Sequence, residues 1–266
     1  MAAFAGNSLL CRVALRESAI DPASFTIIRL AAGALVLWLL ACVRKVGWRD
    51  SGNWVSALAL FAYAAAFSFA YVSLPAGTGA LLLFGAVQAT MILWGWLRGE
   101  RLRARQLLGL LLALGGLVAL IFPGLSAPPL FGSVLMLGAG FAWGIYSLRG
   151  KTTADPASAT TGNFIRAVPF AVVLAVTFSP WMNASAAGVS YAIVSGAITS
   201  GLGYVIWYAV LPTLQAASAA TVQLSVPVLT ALGGILFLSE PLTFRFVVAS
   251  IAILGGIALV VLQRRS

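Results

Sequence analysis

The chain has 266 residues, 61% hydrophobic and 8% charged, with a mean hydropathy of +1.03, too little polar surface to cover a water-soluble globule. Its formal charge of +10, from 16 Lys and Arg against 6 Asp and Glu, would suggest nucleic acid in a soluble protein. Here the basic residues gather in short loops beside apolar runs, so the composition predicts an integral membrane protein with a lipid bilayer, not nucleic acid, as its partner.

Apolar runs of about 20 residues recur along the whole chain, the length that spans a hydrocarbon core of ~30 Å. A period-two alternation is absent, which argues against a membrane barrel. Helices are predicted over residues 1–15, 22–43, 53–73, 77–98, 104–122, 131–149, 157–179, 187–210, 215–238 and 243–263. The expected fold is all-α: ten transmembrane helices, with short connections making sequence neighbours antiparallel neighbours in space. No cleavable leader with its own flanks is visible, and the first run, short and starting at Met1, allows a native start upstream.

Loop charge predicts orientation. Arg44, Lys45 and Arg49, then Arg98, Arg101, Arg103 and Arg105, then Arg149 and Lys151, and finally Arg264 and Arg265 all fall on one side; the other side carries only Arg16 and Arg245. By the positive-inside rule both termini are cytoplasmic, with the protein multi-pass in the inner membrane. Trp48, Trp54, Trp94, Trp96 and Trp181 lie near helix ends and read as interfacial anchors. Cys11 and Cys42 fall in apolar runs and read as small buried hydrophobes.

The chain also repeats itself. Phe4-Ala5 matches Phe141-Ala142, Arg29 matches Arg166, and Tyr71 with Leu74-Pro75 matches Tyr208 with Leu211-Pro212, at an offset of 137 (141 minus 4). After a three-residue slip, Glu100 matches Glu240 and Gly115-Gly116 matches Gly255-Gly256. Five helices is an odd number, so the second copy enters the membrane from the opposite side. The halves, 1–130 and 131–266, are expected to form an inverted repeat, with a substrate site near the midplane between them.

These features resemble the drug/metabolite transporter superfamily, in particular its ten-helix EamA-type exporters. The resemblance rests on the arginines of helices two and seven, on Pro-x-x-x-Ala-Leu-Gly-Gly-x-x-Phe-Leu-Ser-Glu-Pro-Leu from Pro227 to Leu242, and on the Leu-Gly-Gly near the ends of helices five and ten. The first-half copy departs from it, with Val87 in the place of Pro227 and Arg101 in that of Pro241. The aromatic-rich helices are most similar to the aromatic and general amino-acid exporters of the YddG type. The resemblance implies export of small metabolites through a cavity lined by helices one, three, four, six, eight and nine, with helices five and ten outside it.

Candidate residues follow from the cost of polar groups in hydrocarbon. Arg29 and Arg166 lie well inside helices, where an arginine costs roughly 2.5–3.5 kcal/mol on insertion scales unless it meets protein or water. Each is expected to brace the halves, Arg29 with Glu240 on the outer side and Arg166 with Glu100 on the inner side, or to bind carbonyls at a broken helix end, with direct substrate contact as the alternative. Asn7, Gln88 and Gln223 fall near the midplane and read either as interhelical hydrogen bonds or as substrate contacts. Tyr63 with Phe67, Tyr204 with Tyr208 beside Trp207, and Trp143 with Tyr146 share helix faces. They read as packing, lipid-facing or cavity residues, and a cavity so lined would stack flat solutes and attract cationic ones. Pro227 is expected mid-helix, as a bend shaping the site or a gate. Gly140 and Gly144 read as close helix packing.

No His occurs, and no Asp or Glu lies within a helix interior, which disfavours a proton relay and favours facilitated diffusion or exchange. No nucleotide-binding loop, nucleophile motif or metal-ligand cluster is present, so neither an enzyme nor a cofactor is expected. The expectation is an alternating-access exporter of aromatic and other amino acids, for which one copy of the chain suffices. Its predicted site is Asn7, Tyr63, Gln88, Trp143, Tyr204 and Gln223. A multidrug or other metabolite carrier, and a channel or scaffold subunit, are the alternatives.

Overall fold

Two Asp-Pro-Ala-Ser tetrapeptides begin the same way in space: Asp21 and Asp155 each accept hydrogen bonds from the next two free backbone N–H groups, and the proline that follows enters the first turn. This is the strongest helix start the chain contains, since the side chain satisfies orphan donors and proline has none to lose. The computed structural model describes residues 1–45, 47–49, 51–99, 104–124, 127–150, 153, 155–210 and 222–261. Among them the regular structure is helical: α1 Ala2–Glu17, α2 Pro22–Arg44, α3 Trp54–Tyr71, α4 Ala76–Leu97, α5 Ala104–Ile121, α6 Leu130–Gly150 and α7 Pro156–Phe178. A 3-10 turn, Ser179–Trp181, precedes α8 Ala186–Val194, a π-helical segment Ser195–Leu202, α9 Gly203–Val210, α10 Ser225–Leu238 and α11 Phe244–Val261. Asn53 and Ser185 cap α3 and α8 in the same manner as the aspartates.

Eight of the described helical segments are long and apolar enough to cross a membrane, counting α8 through α9 as one; α1 and α10 are shorter, at 16 and 14 residues. Their outward faces carry bare Leu, Val, Ile and Phe, as with Leu111, Val118, Val173, Phe237 and Ile251. A surface so apolar belongs in lipid. Trp54, Trp94, Trp96 and Trp181 are exposed at segment ends, and the Arg98 guanidinium lies 4.9 Å from the Trp94 ring. Cys11 is fully buried, whereas Cys42 is exposed on α2, contrary to expectation, because it lies on the outward face of a helix whose inward face buries Leu37 and Ala41.

The two halves of the chain interlock: α2 packs on α7 and the π segment, α3 on α6 and α7, α4 on α6 and α10, and α1 on α10. Helix α5 lies along α11. Gly109 and Gly256 face each other there, and a Cβ on either would stand 2.4 Å from the other's carbonyl oxygen. Gly140 and Gly144 bring α6 against Leu83, Ala86 and Thr90 of α4. At one end of the molecule the α1–α2 and α7–α8 connections are stitched together: Asp21 N–H donates to the Asn183 carbonyl at 2.9 Å, Asn183 N–H to the Asp21 carboxylate at 2.8 Å, and Ser185 N–H to the Ala19 carbonyl at 2.8 Å.

Pro227 is not mid-helix. The chain turns at Leu224 and α10 restarts at Ser225, so Pro227 sits in its first turn. A proline there has no N–H for the Gln223 carbonyl and its ring crowds that carbonyl, which accounts for the interruption just before it. Glu100, Arg101, Pro212, the predicted helix start at 215–221 and the side chain of Tyr208 lie outside the described residues.

Candidate functional site

Seven elements bring their polar and aromatic side chains to one point. Asn7 from α1 is buried, its amide nitrogen 3.3 Å from the Tyr63 hydroxyl of α3. Its carbonyl oxygen accepts from Ser195 Oγ at 2.7 Å, with Thr199 Oγ1 at 3.2 Å and Ser200 Oγ at 3.5 Å. These three hydroxyls line up because the π segment widens the turn, so that side chains four and five apart share a face. Gly196 in the same segment is required by contact: a Cβ there would lie 2.1 Å from the Arg29 carbonyl. Helix α2 therefore passes the π segment backbone to backbone, which delivers Arg29 into the cluster.

Arg29 is 1% exposed and is the largest fully buried side chain. Its Nε donates to Ser200 Oγ at 3.1 Å and its Nη2 to the Tyr63 hydroxyl at 3.1 Å, with the Tyr204 hydroxyl at 3.5 Å. The guanidinium carbon also lies 5.2 Å from the centre of the Tyr63 ring and 5.0 Å from that of Phe67. Its Nη1 has no partner among the described residues.

The aromatic wall is continuous. Trp143 of α6 lies 4.9 Å from Tyr63 and 4.7 Å from Tyr204, centre to centre, and Tyr146 lies 5.4 Å from Trp143. Phe4 stacks on Tyr204 at 5.6 Å and meets Phe84, Trp143 and Trp207 edge-on. Each such pair contributes about 0.5–1.5 kcal/mol beyond its buried area. The space left between Phe4, Asn7, Tyr63, Phe67, Phe84 and Trp143 is only about 10 Å³. Side chains fill this centre, so a solute enters only if they part.

Of the predicted site residues, the fold unites Asn7, Tyr63, Trp143 and Tyr204. Gln88 and Gln223 are placed elsewhere, bonded to each other at 3.2 Å, and neither lines the central space. Two amides satisfy one another more completely than either could against an aromatic wall. Arg29 is not the partner of Glu240; that carboxylate takes Arg12 instead, at 3.2 Å, because Arg12 lies one turn from the end of α1 that meets the end of α10. Arg166 braces, but to backbone: it donates to the Ser51 carbonyl at 2.7 Å, the Arg49 carbonyl at 2.8 Å and its own Gly162 carbonyl at 3.0 Å. Phe4 was noted in the sequence only for the repeat and Phe67 only as the face-mate of Tyr63, while Ser195, Thr199 and Ser200 were not singled out. The only local signal was the Thr-Ser-Gly-Leu-Gly run at 199–203, polar and glycine-rich inside an apolar span.

Comparison with known proteins places this geometry in a family. The EamA-like transporter family matches residues 1–122 and 130–262. The chain belongs to that family. Among its relatives, an uncharacterized protein of Pseudomonas aeruginosa is 57% identical over 265 residues, covering 99% of this chain and 92% of the relative. An uncharacterized transporter of Archaeoglobus fulgidus is 28% identical over 280 residues, covering 97% and 93%. A crystal structure 18% identical, covering 97% of this chain and 96% of that one, superposes with a TM-score of 0.67, which shows a shared fold. The protein is thus a multi-pass membrane transporter, with a small-molecule substrate and the bilayer as its surroundings.

In this EamA-like transporter, α2 and the π segment join helices α1, α3, α4, α6 and α9 at the centre, whereas no described residue of α10 does. The expected lining included the ninth helix, part of which lies outside the described residues, and not the second. The two ends of the molecule differ. At the end where α1 stops, Arg12 Nη1 donates to the Tyr71 and Val72 carbonyls at 2.9 and 3.1 Å, and the second Glu240 oxygen accepts from Ala76 N–H, at the start of α4, at 2.7 Å. Gly234 leaves room for that carboxylate, whose oxygen would lie 2.6 Å from a Cβ there. A cavity of about 250 Å³ around Pro75, Pro129, Pro241 and Phe246 lies at this same end, but its one charged residue, Glu240, is fully engaged. At the other end, a polar recess of about 70 Å³ runs between Asn53, Ser56, Arg149, Thr160 and Asn163 and reaches Tyr146, which touches Trp143. Arg149 is held there by Ser56 Oγ and Asn53 Oδ1, both at 3.0 Å.

Proposed function

We propose that this chain is a secondary transporter of ten spans, built from two inverted five-helix halves (1–130 and 131–266), that exports aromatic and other amino acids across the inner membrane by alternating access. The observation that carries the reading is the buried cluster of Phe4, Asn7, Tyr63, Trp143 and Tyr204, in which rings and an amide from both halves of the chain surround one point deep in the bundle. Flat solutes with one polar end match such a wall.

Inversion draws support from the packing. The exchange of each helix for the one five spans later maps α2 on α7 and α5 on α11 onto themselves, and maps the α3–α6 pair onto α8 with α1. The matched Asp-Pro-Ala-Ser caps begin α2 and α7, the second span of each half, at opposite ends of the bundle. With both termini cytoplasmic, the Arg12–Glu240 end is the outer one, latched shut, and the polar recess at Asn53 and Arg149 opens inward. Glu240, the one buried carboxylate among the described residues, has both oxygens engaged, which supports facilitated diffusion or exchange over proton coupling.

Counterflow in proteoliposomes tests this. Saturable, trans-stimulated uptake of labelled phenylalanine, unchanged by an imposed pH gradient, is the expected result. Linear flux would indicate a channel, absence of flux a scaffold, and preference for unrelated lipophilic drugs a multidrug carrier.

A further inference from the structure

The central cluster holds more hydrogen-bond donors than it can place. Arg29 Nη2, Asn7 Nδ2 and the Tyr204 hydroxyl all converge on the single Tyr63 oxygen, at 3.1, 3.3 and 3.3 Å. A hydroxyl oxygen has two lone pairs, so the guanidinium and the amide fill it, and the Tyr63 proton is left for Tyr204. The Nη1 of the same guanidinium, buried with the rest of Arg29, has no partner at all among the described residues. No carboxylate among the described residues touches this arginine, so the charge is held only by hydroxyls and by the faces of Tyr63 and Phe67. A buried, uncompensated charge with an open donor is costly, and a ligand that supplies an acceptor would remove that cost.

We propose that Arg29 receives the carboxylate of the transported solute, through Nη1 and the hydroxyls around it, so that the substrates are small carboxylates with a flat apolar body. This deepens the amino-acid reading above and rests on it. A planar guanidinium and a carboxylate match in a two-pronged geometry that no other side chain here offers. The rings that would otherwise attract a cationic solute already face Arg29, which turns the site against amines. Among the described residues, the polar recess leading to Tyr146 is lined by Arg149 and by no Asp or Glu. The body of the solute would replace the contacts of Phe4, Trp143 and Tyr204 with one another.

Four compounds that share one ring separate the possibilities: phenylalanine, 3-phenylpropanoate, phenylalaninamide and 2-phenylethylamine. With purified protein in detergent, the two carboxylates are expected to raise the thermal unfolding midpoint, and the amide and the amine to leave it unchanged. In counterflow the carboxylates are expected to compete at least tenfold more strongly than the other two. Arg29→Gln should abolish that preference, and Arg29→Lys, which keeps the charge without the planar fork, should retain a weakened one. Equal stabilisation or competition by the amide or amine in the wild-type protein would overturn the proposal without recourse to any variant, and so would an unaltered preference in Arg29→Gln. Carboxylate-selective stabilisation without saturable flux would sustain the binding site and overturn the carrier reading instead.

Discussion

Arg29 meets Tyr63 twice, once through Nη2 on the phenolic oxygen at 3.1 Å and once with the guanidinium carbon 5.2 Å from the ring centre. The two contacts answer different needs. The hydroxyl satisfies a donor, and the ring face offsets charge in a place water does not reach.

Tyr63→Phe separates them. The ring stays, but Arg29 loses an acceptor and Asn7 loses the partner of its amide nitrogen. Hydrogen bonds to charged groups contribute about 1.5–3 kcal/mol, so the variant should unfold at a visibly lower temperature while Tyr63→Ala loses the packing as well and falls further. Thermal unfolding of both variants in the same detergent checks the order.

The Arg12–Glu240 pair should behave as a unit. Glu240→Ala leaves a buried arginine without its counter-ion and Ala76 N–H without its acceptor, a loss of about 3–5 kcal/mol for a broken buried pair, moderated by the two carbonyls that Arg12 retains. Replacing both residues by methionine should recover much of that stability. A double-mutant cycle showing additive losses would mean the two do not interact.

Gly196→Ala and Gly115→Ala form a matched pair. The first places a Cβ against the Arg29 carbonyl, backbone against backbone, and should part α2 from the π segment. The second meets nothing within 4 Å and should be neutral or stabilising, by up to about 1 kcal/mol from helix propensity alone. Expression level and unfolding midpoint distinguish them.

Acid sensitivity should trace to the two helix caps. At Asp21 burial works against the ionised carboxylate, but hydrogen bonds from Ser24, Asn183 and Ala23 outweigh it and lower the pKa from 3.8. At Asp155 the Ser158 side chain leads, with burial opposing and backbone N–H groups adding, and the shift is again downward. A carboxyl with a depressed folded pKa contributes stability that is fully present above its unfolded value and is lost as pH falls through the folded one. Unfolding midpoints followed downward from pH 5 should therefore fall, and Asp21→Asn, which still caps the helix, should flatten part of that slope.

Much of the fold was legible because it rests on local energies. Apolar runs long enough for the bilayer, proline after a capping aspartate, and basic loops each act through their own neighbourhood in the chain, and α2 to α7 begin and end within a few residues of the predicted bounds. The break at Leu224 was not expected, because Pro227 was placed in the middle of one continuous helix over 215–238, when a proline acts on the turn before it. Arg29 lies 8 residues beyond Asp21 (29 minus 21), and Arg166 lies 11 beyond Asp155 (166 minus 155). Three residues leave the two on nearly the same helix face at different depths, so the elements packed around them send one guanidinium inward and the other back to the α2–α3 connection.

The site was half legible. That Asn7, Tyr63, Trp143 and Tyr204 need polar partners follows from their burial in apolar spans. Which partners they take was decided by helix contacts far apart in sequence. Arg29 enters the cluster because Gly33 and Gly196 let α2 press against Phe164 and the π segment, and Glu240 is held away from it by Arg12 and the Ala76 N–H at the end of α10. The sequence by itself determined a membrane transporter of helices with basic loops, since the cost of moving each segment into lipid depends on that segment alone. Tertiary structure decided which buried charge is paired and which is left with an open N–H, since a long side chain in hydrocarbon can reach several helices and packing alone selects the one it meets.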